Sequence, residues 1–446
     1  MPDSNQDNNQ AIKQRYNDLF QLFENSLNGA SKLKAHTLRQ NAIKQLGELS
    51  FPSRRDEDWK YTSVTRIIEP AYQLGIPFEI EENQVNSAAV QGLEGIRLVF
   101  TNGVLDTKLS NFENLPDGLT IMRLDEAIMS EQFGAEAQSV LTDTQGANSN
   151  AFVAINSAFA RNGIFIHAAK NKAIDQPIYL MHFNSGQPEK EMFTTPRIVG
   201  IAAQSSELTI VEHFIGMSEH VYFSNSVNRF HVARNGHLSY YKLQQEGFGG
   251  YQVTNSVAHQ ERDSTFSAYT IDLRSRITRN NLSAILKDSG TATNMFGVYL
   301  PTKDQHIDNQ TFIDHAFPHC NSNELYKGVI KDKARGVFNG KVLVRQDAQK
   351  TNAFQQNSSL VLSEKAVMDT KPQLEIYADD VRCSHGATIG QLDEASVYYL
   401  KARGLTDDQA RAMLQSAFVG EVIEKIPNDS IRAFVEAAVQ IKLGEV

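Results

Sequence analysis

Gly236-His-Leu-Ser-Tyr-Tyr-Lys-Leu243 and, 28 positions later, Ser264-Thr-Phe-Ser-Ala-Tyr-Thr-Ile-Asp-Leu273 set the grammar of this 446-residue chain. Each is a short apolar and aromatic run behind a small residue in a polar turn. That is the composition of a strand, and helical periodicity is weak. Similar runs occur at 164–168, 178–182, 208–213, 237–243, 265–273, 296–300, 337–344 and 359–362. Small turn residues at Gly236, Ser264, Gly290 and Arg335-Gly336 stand 28, 26 and about 45 positions apart, the last read as two turns of about 22. One strand group per 22–28 residues suits a β-solenoid, whose coils stack only on their neighbours. A β-sandwich also yields many short strands, but this grammar runs too long for one sandwich. The expected fold is mainly β, with a solenoid at its centre.

Helical spacing flanks that stretch. Ile12, Tyr16, Leu19, Phe20, Phe23 and Leu27 mark a first helix, closed by Asn28-Gly29, after ten residues that read as disordered. A second helix is expected over 36–48, another near 125–133, and an amphipathic one over 389–403. Thr406-Asp-Asp-Gln409 fits a capping box, and Pro427 separates the last two helices. The resulting division is a helix-rich region at 1–150, a β core at 151–376 and a small helical domain at 377–446. The only Trp, Trp59, reads as a packing anchor among charged neighbours.

Composition narrows the function. The net charge is −9, without a block of Lys or Arg, which argues against nucleic acid or an anionic membrane as partner. No apolar run reaches the length of a membrane span, and the polar N-terminus lacks a signal-peptide layout. Two cysteines, Cys320 and Cys383, make a disulfide framework improbable and point to a reducing cytoplasm. Walker, dinucleotide and nucleophile-elbow motifs are all missing.

Two groups of residues suit metal chemistry. Cys383-Ser-His385 puts a thiol and an imidazole at i and i+2, on one side of an extended chain. A closed site needs about four ligands, so the others would come from another chain. The plain alternative is a buried Cys and a backbone-bonded His. His306, Asp308, Asp314, His315, His319 and Cys320 form the second group, whose simpler reading is a polar loop. Asp379-Asp380 are neighbours on opposite faces of a strand and cannot flank one bond.

Several long segments together resemble one family. They are Glu57-Asp-Trp-Lys-Tyr-Thr62, Leu325-Tyr-Lys-Gly328, Gly336-Val-Phe-Asn-Gly-Lys-Val342, Asp347-Ala-Gln-Lys-Thr-Asn-Ala-Phe-Gln-Gln-Asn357, Pro372-Gln-Leu-Glu-Ile-Tyr-Ala-Asp-Asp-Val381, Cys383-Ser-His-Gly-Ala-Thr-Ile-Gly-Gln-Leu-Asp393 and Tyr399-Leu-Lys-Ala-Arg-Gly404. They resemble the SufD family, scaffold subunits of the Suf iron–sulfur cluster assembly machinery. The resemblance implies a right-handed parallel β-helix between helical ends. It implies a heterodimer with the paralogue SufB and docking of the SufC ATPase on the C-terminal helices. From this it follows that Leu405, Ala410, Met413, Leu414 and Phe418 are docking candidates. It also implies a transient iron–sulfur cluster, with no stably bound cofactor, at the SufB interface. His385 is the half-site there, with Cys383 a lesser candidate. SufB carries a Cys in the segment matching 354–359, where this chain has Asn357, and an E-H-E sequence where this chain has Cys383-Ser-His385. The chain is therefore expected to be a non-catalytic subunit. A homodimeric scaffold and a carbohydrate-active β-helix enzyme are the alternatives, the second disfavoured by the polar N-terminus. Cluster type and flavin involvement stay open.

Overall fold

The computed structural model describes residues 3–27, 34–142, 150–161 and 163–444. Two parallel sheets face each other and the chain alternates between them. The first sheet stacks Ile164–Ala168, Arg197–Ala202, Tyr222–Val232, Gly250–Gln260, Ile277–Leu286, His306–His315, Arg335–Val344 and Val367–Ile376. The second stacks Ile178–Asn184, Glu207–Gly216, His237–Gln245, Thr265–Arg274, Ala292–Tyr299, Asn321–Ile330, Asn352–Val361 and Arg382–Gly390. Eight coils of a parallel β-solenoid result, as the turn grammar requires. The coil stack crosses both expected boundaries. Ile96–Thr101 already pairs with the second sheet, and Arg382–Gly390 lies past residue 376.

The repeat is longer than the turn series suggested. Register partners lie between 26 residues apart (Tyr251 and Ile277) and 32 apart (Arg335 and Val367) from Tyr222 onward. The marker is a left-handed corner residue at Ser205, Asn235, Asp263, Gly290, His319 and Lys350, with φ of 55, 55, 56, 76, 61 and 62°. Ser205, Asn235 and Asp263 donate their amides to Arg234, Arg262 and Ser289 carbonyls of the next coil at 2.9–3.0 Å. Only one of the six is glycine, so the repeat is faint in sequence. Gly336 belongs to a different corner. The interval of about 45 thus mixed two series and hid the coil that turns at His319.

Each sheet is covered on its outer face, by different parts of the chain. The helix Asp3–Ser26 and the helix Lys34–Glu48 pack Tyr16, Phe20, Phe23 and Leu46 on Phe159, Phe193 and Phe223, over the first sheet. The first helix starts at Asp3, not after ten disordered residues, because an anchored helix extends at little cost. Asn28-Gly29 lies outside the described residues. The helix expected near 125–133 is two, Leu124–Met129 and Gly134–Thr142. Ser130 Oγ accepts the amides of Gln132 and Phe133 at 3.2 Å and turns the chain between them. Trp59 is buried, its ring stacked 5.5 Å from Phe152 with the Arg279 guanidinium 4.0 Å above it.

The C-terminal helices fold back on the second sheet. Val419, Val422, Ile431, Val435 and Val439, from the helices Asp407–Ile423 and Asp429–Gly444, pack on Val211, Tyr241, Tyr269 and Val298. Before them comes a short helix, Glu394–Lys401. The expected helix over 389–403 begins later because Ile389 is still in the last strand, and Asp393 caps the helix through the amides of Ala395 and Ser396. The Thr406–Gln409 capping box is formed. Among the described residues no helix is long and apolar enough to cross a membrane.

Candidate functional site

The coil stack ends in two edge strands. Val367–Ile376 closes the first sheet and Arg382–Gly390 the second, each paired on one side only. Exposed apolar side chains gather there: Phe354, Val367, Ile376, Tyr377 and Ile389 are all at least 40% exposed. An apolar sheet edge with free backbone donors and acceptors is a template for another chain.

The last strand carries the thiol and the imidazole. Alternation turns Cys383, His385 and Ala387 to the side that in earlier coils faces the interior, since their register partners Ala353, Gln355 and Asn357 are buried. With no further coil above it, His385 is exposed. Cys383 is half-buried against Val342, Val344, Ala353 and Ala378. Burial pushes its thiol pKa up, so a nearby cation or metal is needed to ionise it at neutral pH.

Beneath His385 runs a polar column invisible to local motif reading. Glu324, Gln355 and His385 are register neighbours on three successive coils. Gln355 Nε2 donates to Glu324 Oε2 at 2.6 Å. Burial pushes the Glu324 carboxyl up to about 7, partly offset by Thr311 and Gln355. Gln355 Oε1 is buried without a hydrogen-bond partner among the described residues. Gly340 makes room for this amide, because a Cβ there would fall 2.3 Å from Gln355 Nε2. The spacing of 31 and then 30 residues is the signal that links Glu324 and Gln355 to His385 in sequence. Asn357, by contrast, is fully buried, its amide held by Tyr299 Oη at 2.9 Å and the Tyr326 carbonyl at 3.2 Å.

The second metal-type group does not converge. His306 and His315 sit at opposite ends of one strand, about 30 Å apart at ordinary strand rise. His306 bonds Thr62 Oγ1 at 2.7 Å, and Asp308 pairs with Arg279 at 2.6 Å. Asp314 holds Arg345 through two bonds of 2.8 and 2.6 Å, and His315 bonds Ser322 at 2.9 Å. Burial pushes both histidines down to about 4. His319 is an exposed corner residue, while Cys320 is buried and its thiol pKa raised. These are structural roles. Among the described residues no three His, Cys, Asp or Glu side chains gather to hold a metal ion.

The C-terminal helices present a groove of about 510 Å³, lined by Tyr399, Leu400, Met413, Leu414 and Ala417. Met413 is 52% exposed and Tyr398 76%. Leu405 is half-buried at the turn before the capping box. Ala410 is fully buried and so faces away from any partner. Phe418 is half-buried under the Lys327 ammonium, 4.6 Å from its ring.

The solenoid with helical ends agrees with the sequence comparisons, which place the chain in the SufBD family of iron–sulfur cluster assembly proteins. Residues 183–418 match the SufBD core domain of the SUF system for FeS cluster assembly, and residues 10–180 match the SufBD N-terminal region. Among individual proteins, the iron-sulfur cluster assembly protein SufD of Escherichia coli is 30% identical over 413 residues, covering 91% of this chain and 92% of that one. The iron-sulfur cluster assembly SufBD family protein slr0076 of Synechocystis is 30% identical over 416 residues, 91% and 90% of the two chains. A chloroplastic protein of Arabidopsis thaliana, ABCI7, is 30% identical over 433 residues, 93% and 88%.

Proposed function

We propose that this chain is a non-catalytic scaffold subunit that pairs with SufB through its last coil, so that a nascent iron–sulfur cluster forms between the two chains. The observation that carries this reading is the placement of Cys383 and His385 on an edge strand paired on one side only and ringed by exposed apolar residues. A cluster needs thiolate or imidazole ligands. Two from this edge would be completed only when a partner strand arrives, which makes assembly conditional on the complex. Iron and sulfide are cargo here.

The groove at Tyr399, Met413 and Leu414 is the docking surface for the SufC ATPase in this reading, with Leu405 at its rim. Ala410 and Phe418 support the helix from behind. Nucleotide binding by that partner would favour one arrangement of the open ends over another. Two free cysteines fit a reducing cytoplasm.

The test is co-expression with SufB and SufC, comparing wild type with His385→Ala. The expected result is an intact complex that has lost iron and sulfide. Unchanged cluster content in an intact complex would leave this chain a purely architectural subunit. Failure of the chains to co-purify, with this chain eluting as a dimer, would favour a homodimeric scaffold instead.

A further inference from the structure

We propose that Gln355 is a positioning residue for His385: its side-chain carbonyl oxygen accepts a hydrogen bond from the imidazole Nδ1–H and leaves Nε2 to ligate iron. The inference rests on the reading of His385 as a cluster half-site, and adds which nitrogen ligates and what selects it. Gln355 and His385 are register partners on the last two strands of the second sheet. Neighbouring strands stand about 4.8 Å apart, so long side chains in register on one face meet.

The coil beneath His385 presents an oriented acceptor. Gln355 is buried, and its Nε2 donates to Glu324 Oε2 at 2.6 Å, one coil further down. The two arms of a planar amide point apart, so an Nε2 held by Glu324 turns Oε1 away from that carboxyl. Oε1 is shielded from water and has no hydrogen-bond partner among the described residues. Asn357, its neighbour along the strand, has no donor to spare, because its amide already donates to Tyr299 Oη and to the Tyr326 carbonyl. Gly340, on the facing sheet, offers no side chain, and the Gln355 amide takes the space of its missing Cβ. The last strand covers Gln355 from above, and the side chain it sets opposite is the imidazole. Asn357 Oδ1 is unpartnered too, but its register partner is Ala387, which carries no side-chain donor.

A buried carbonyl left unpaired is costly, and one N–H from above removes the cost. Nδ1 is the ring nitrogen nearer the backbone. An exposed imidazole that turns down over Gln355 therefore brings Nδ1 to Oε1 while Nε2 points out of the open end. A ring nitrogen binds metal through its lone pair, and the bond made by the other nitrogen decides which one is free to do so. Metal-bound histidines donate that other N–H to an acceptor that fixes tautomer and ring orientation. A glutamine pinned through Nε2 is such an acceptor.

The test labels this chain alone with ¹⁵N-histidine and reads the His385 tautomer at pH 8 by NMR. It is read in the isolated full-length chain and, by magic-angle spinning, in the iron-free complex with SufB and SufC; His385→Gln identifies the resonance. The expected result is a proton on Nδ1. Gln355→Met, of similar length but without the acceptor, should move the proton to Nε2 and cut iron and sulfide several-fold in an intact complex. Gly340→Ala, which displaces the amide, should do the same, and it serves as the test if Gln355→Met does not fold. If the three chains do not assemble, the isolated-chain spectra decide. A proton on Nε2 in both wild-type samples, or the same tautomer in wild type and a folded variant, overturns the proposal. A tautomer that shifts while cluster content stays at the wild-type level keeps the hydrogen bond but refutes the half-site reading, and so overturns the part Gln355 plays in ligation.

Discussion

Gln355 stands opposite His385 across the last strand pair, and its amide is pinned from below by Glu324 at 2.6 Å. The exposed imidazole therefore rests on a rigid polar floor, with Gln355 Oε1 unpartnered beneath it. Two substitutions disturb this floor without touching the imidazole. Gln355→Leu removes the donor from a buried carboxyl, which costs about 1–3 kcal/mol. Gly340→Ala places a Cβ 2.3 Å from Gln355 Nε2 and must push the amide aside. Both variants are expected to lower the denaturant midpoint of the isolated chain and to cut iron and sulfide in the assembled complex several-fold. Full cluster content alongside a lowered midpoint would confine the floor to a stability role.

The same carboxyl gives a pH signature. Glu324 keeps its proton up to about 7 in the folded chain, whereas its ordinary value is 4.5. Between those values the folded state binds more protons than the unfolded one, so this group's stabilising contribution is present below 4.5 and lost as pH rises toward 7. The loss is about 3 kcal/mol in all, as an upper figure. Glu324→Gln removes that dependence. Relative to wild type, the variant should gain stability from pH 5 to about pH 7 and level off above that in denaturant titrations. His213, His306 and His315 work in the other direction: buried and pushed down to about 4, they withdraw stability as pH falls from 6.5 toward 4. A variant-minus-wild-type difference that stays flat from pH 5 to pH 8 would sink the Glu324 assignment.

How much of this was legible in the sequence follows from which face each strand buries. Six of the eight expected runs lie in the second sheet, whose outer face is covered by Val419, Val422 and Val435 and whose strands are apolar on both sides. Buried on two faces, they read as plain hydrophobic runs. Tyr222–Val232, Gly250–Gln260, Ile277–Leu286 and His306–His315 belong to the first sheet and escaped notice. They hold buried Asn225, Asn255, Arg279 and Asp308, each with at least one polar atom bonded to another part of the chain, so polarity there does not mean exposure. The Cys383–His385 pair was legible because it is local. The Glu324–Gln355 floor was not, because it needs the coil length, and the corner residues that set it vary in type.

Trp59 offers a direct view of the contact between the N-terminal region and the solenoid. It is the only Trp, and it lies under Arg279, which pairs with Asp308 at 2.6 Å and donates to the Asp58 carbonyl at 2.7 Å. Thr62 Oγ1 also donates to Asp308. Asp308→Ala leaves the Arg279 charge buried without its carboxylate, a loss of about 3–5 kcal/mol. The expected outcome is that Trp59 fluorescence in the variant changes at lower urea than the far-ultraviolet circular dichroism of the sheets, whereas the two coincide in wild type. Coincident transitions at an unshifted midpoint would show that this ion pair does not hold the region in place.

Ile389 separates pairing from folding at the open end. It lies on the last strand, on the same side as Cys383 and His385, and is 50% exposed. Nothing above it in the chain's own sheets is lost when it becomes polar, so Ile389→Lys should shift stability by no more than about 0.5 kcal/mol. If SufB adds a strand to this edge, the lysine ammonium would be desolvated in the interface, and affinity should drop more than tenfold. Ile441, 66% exposed on the last helix, supplies the control: Ile441→Lys changes the same residue type away from the edge and should leave SufB binding intact. Titration of each purified variant with SufB by calorimetry decides the matter. Equal affinities for the two variants would move the partner surface elsewhere and strip the Cys383–His385 edge of its role in joining the chains.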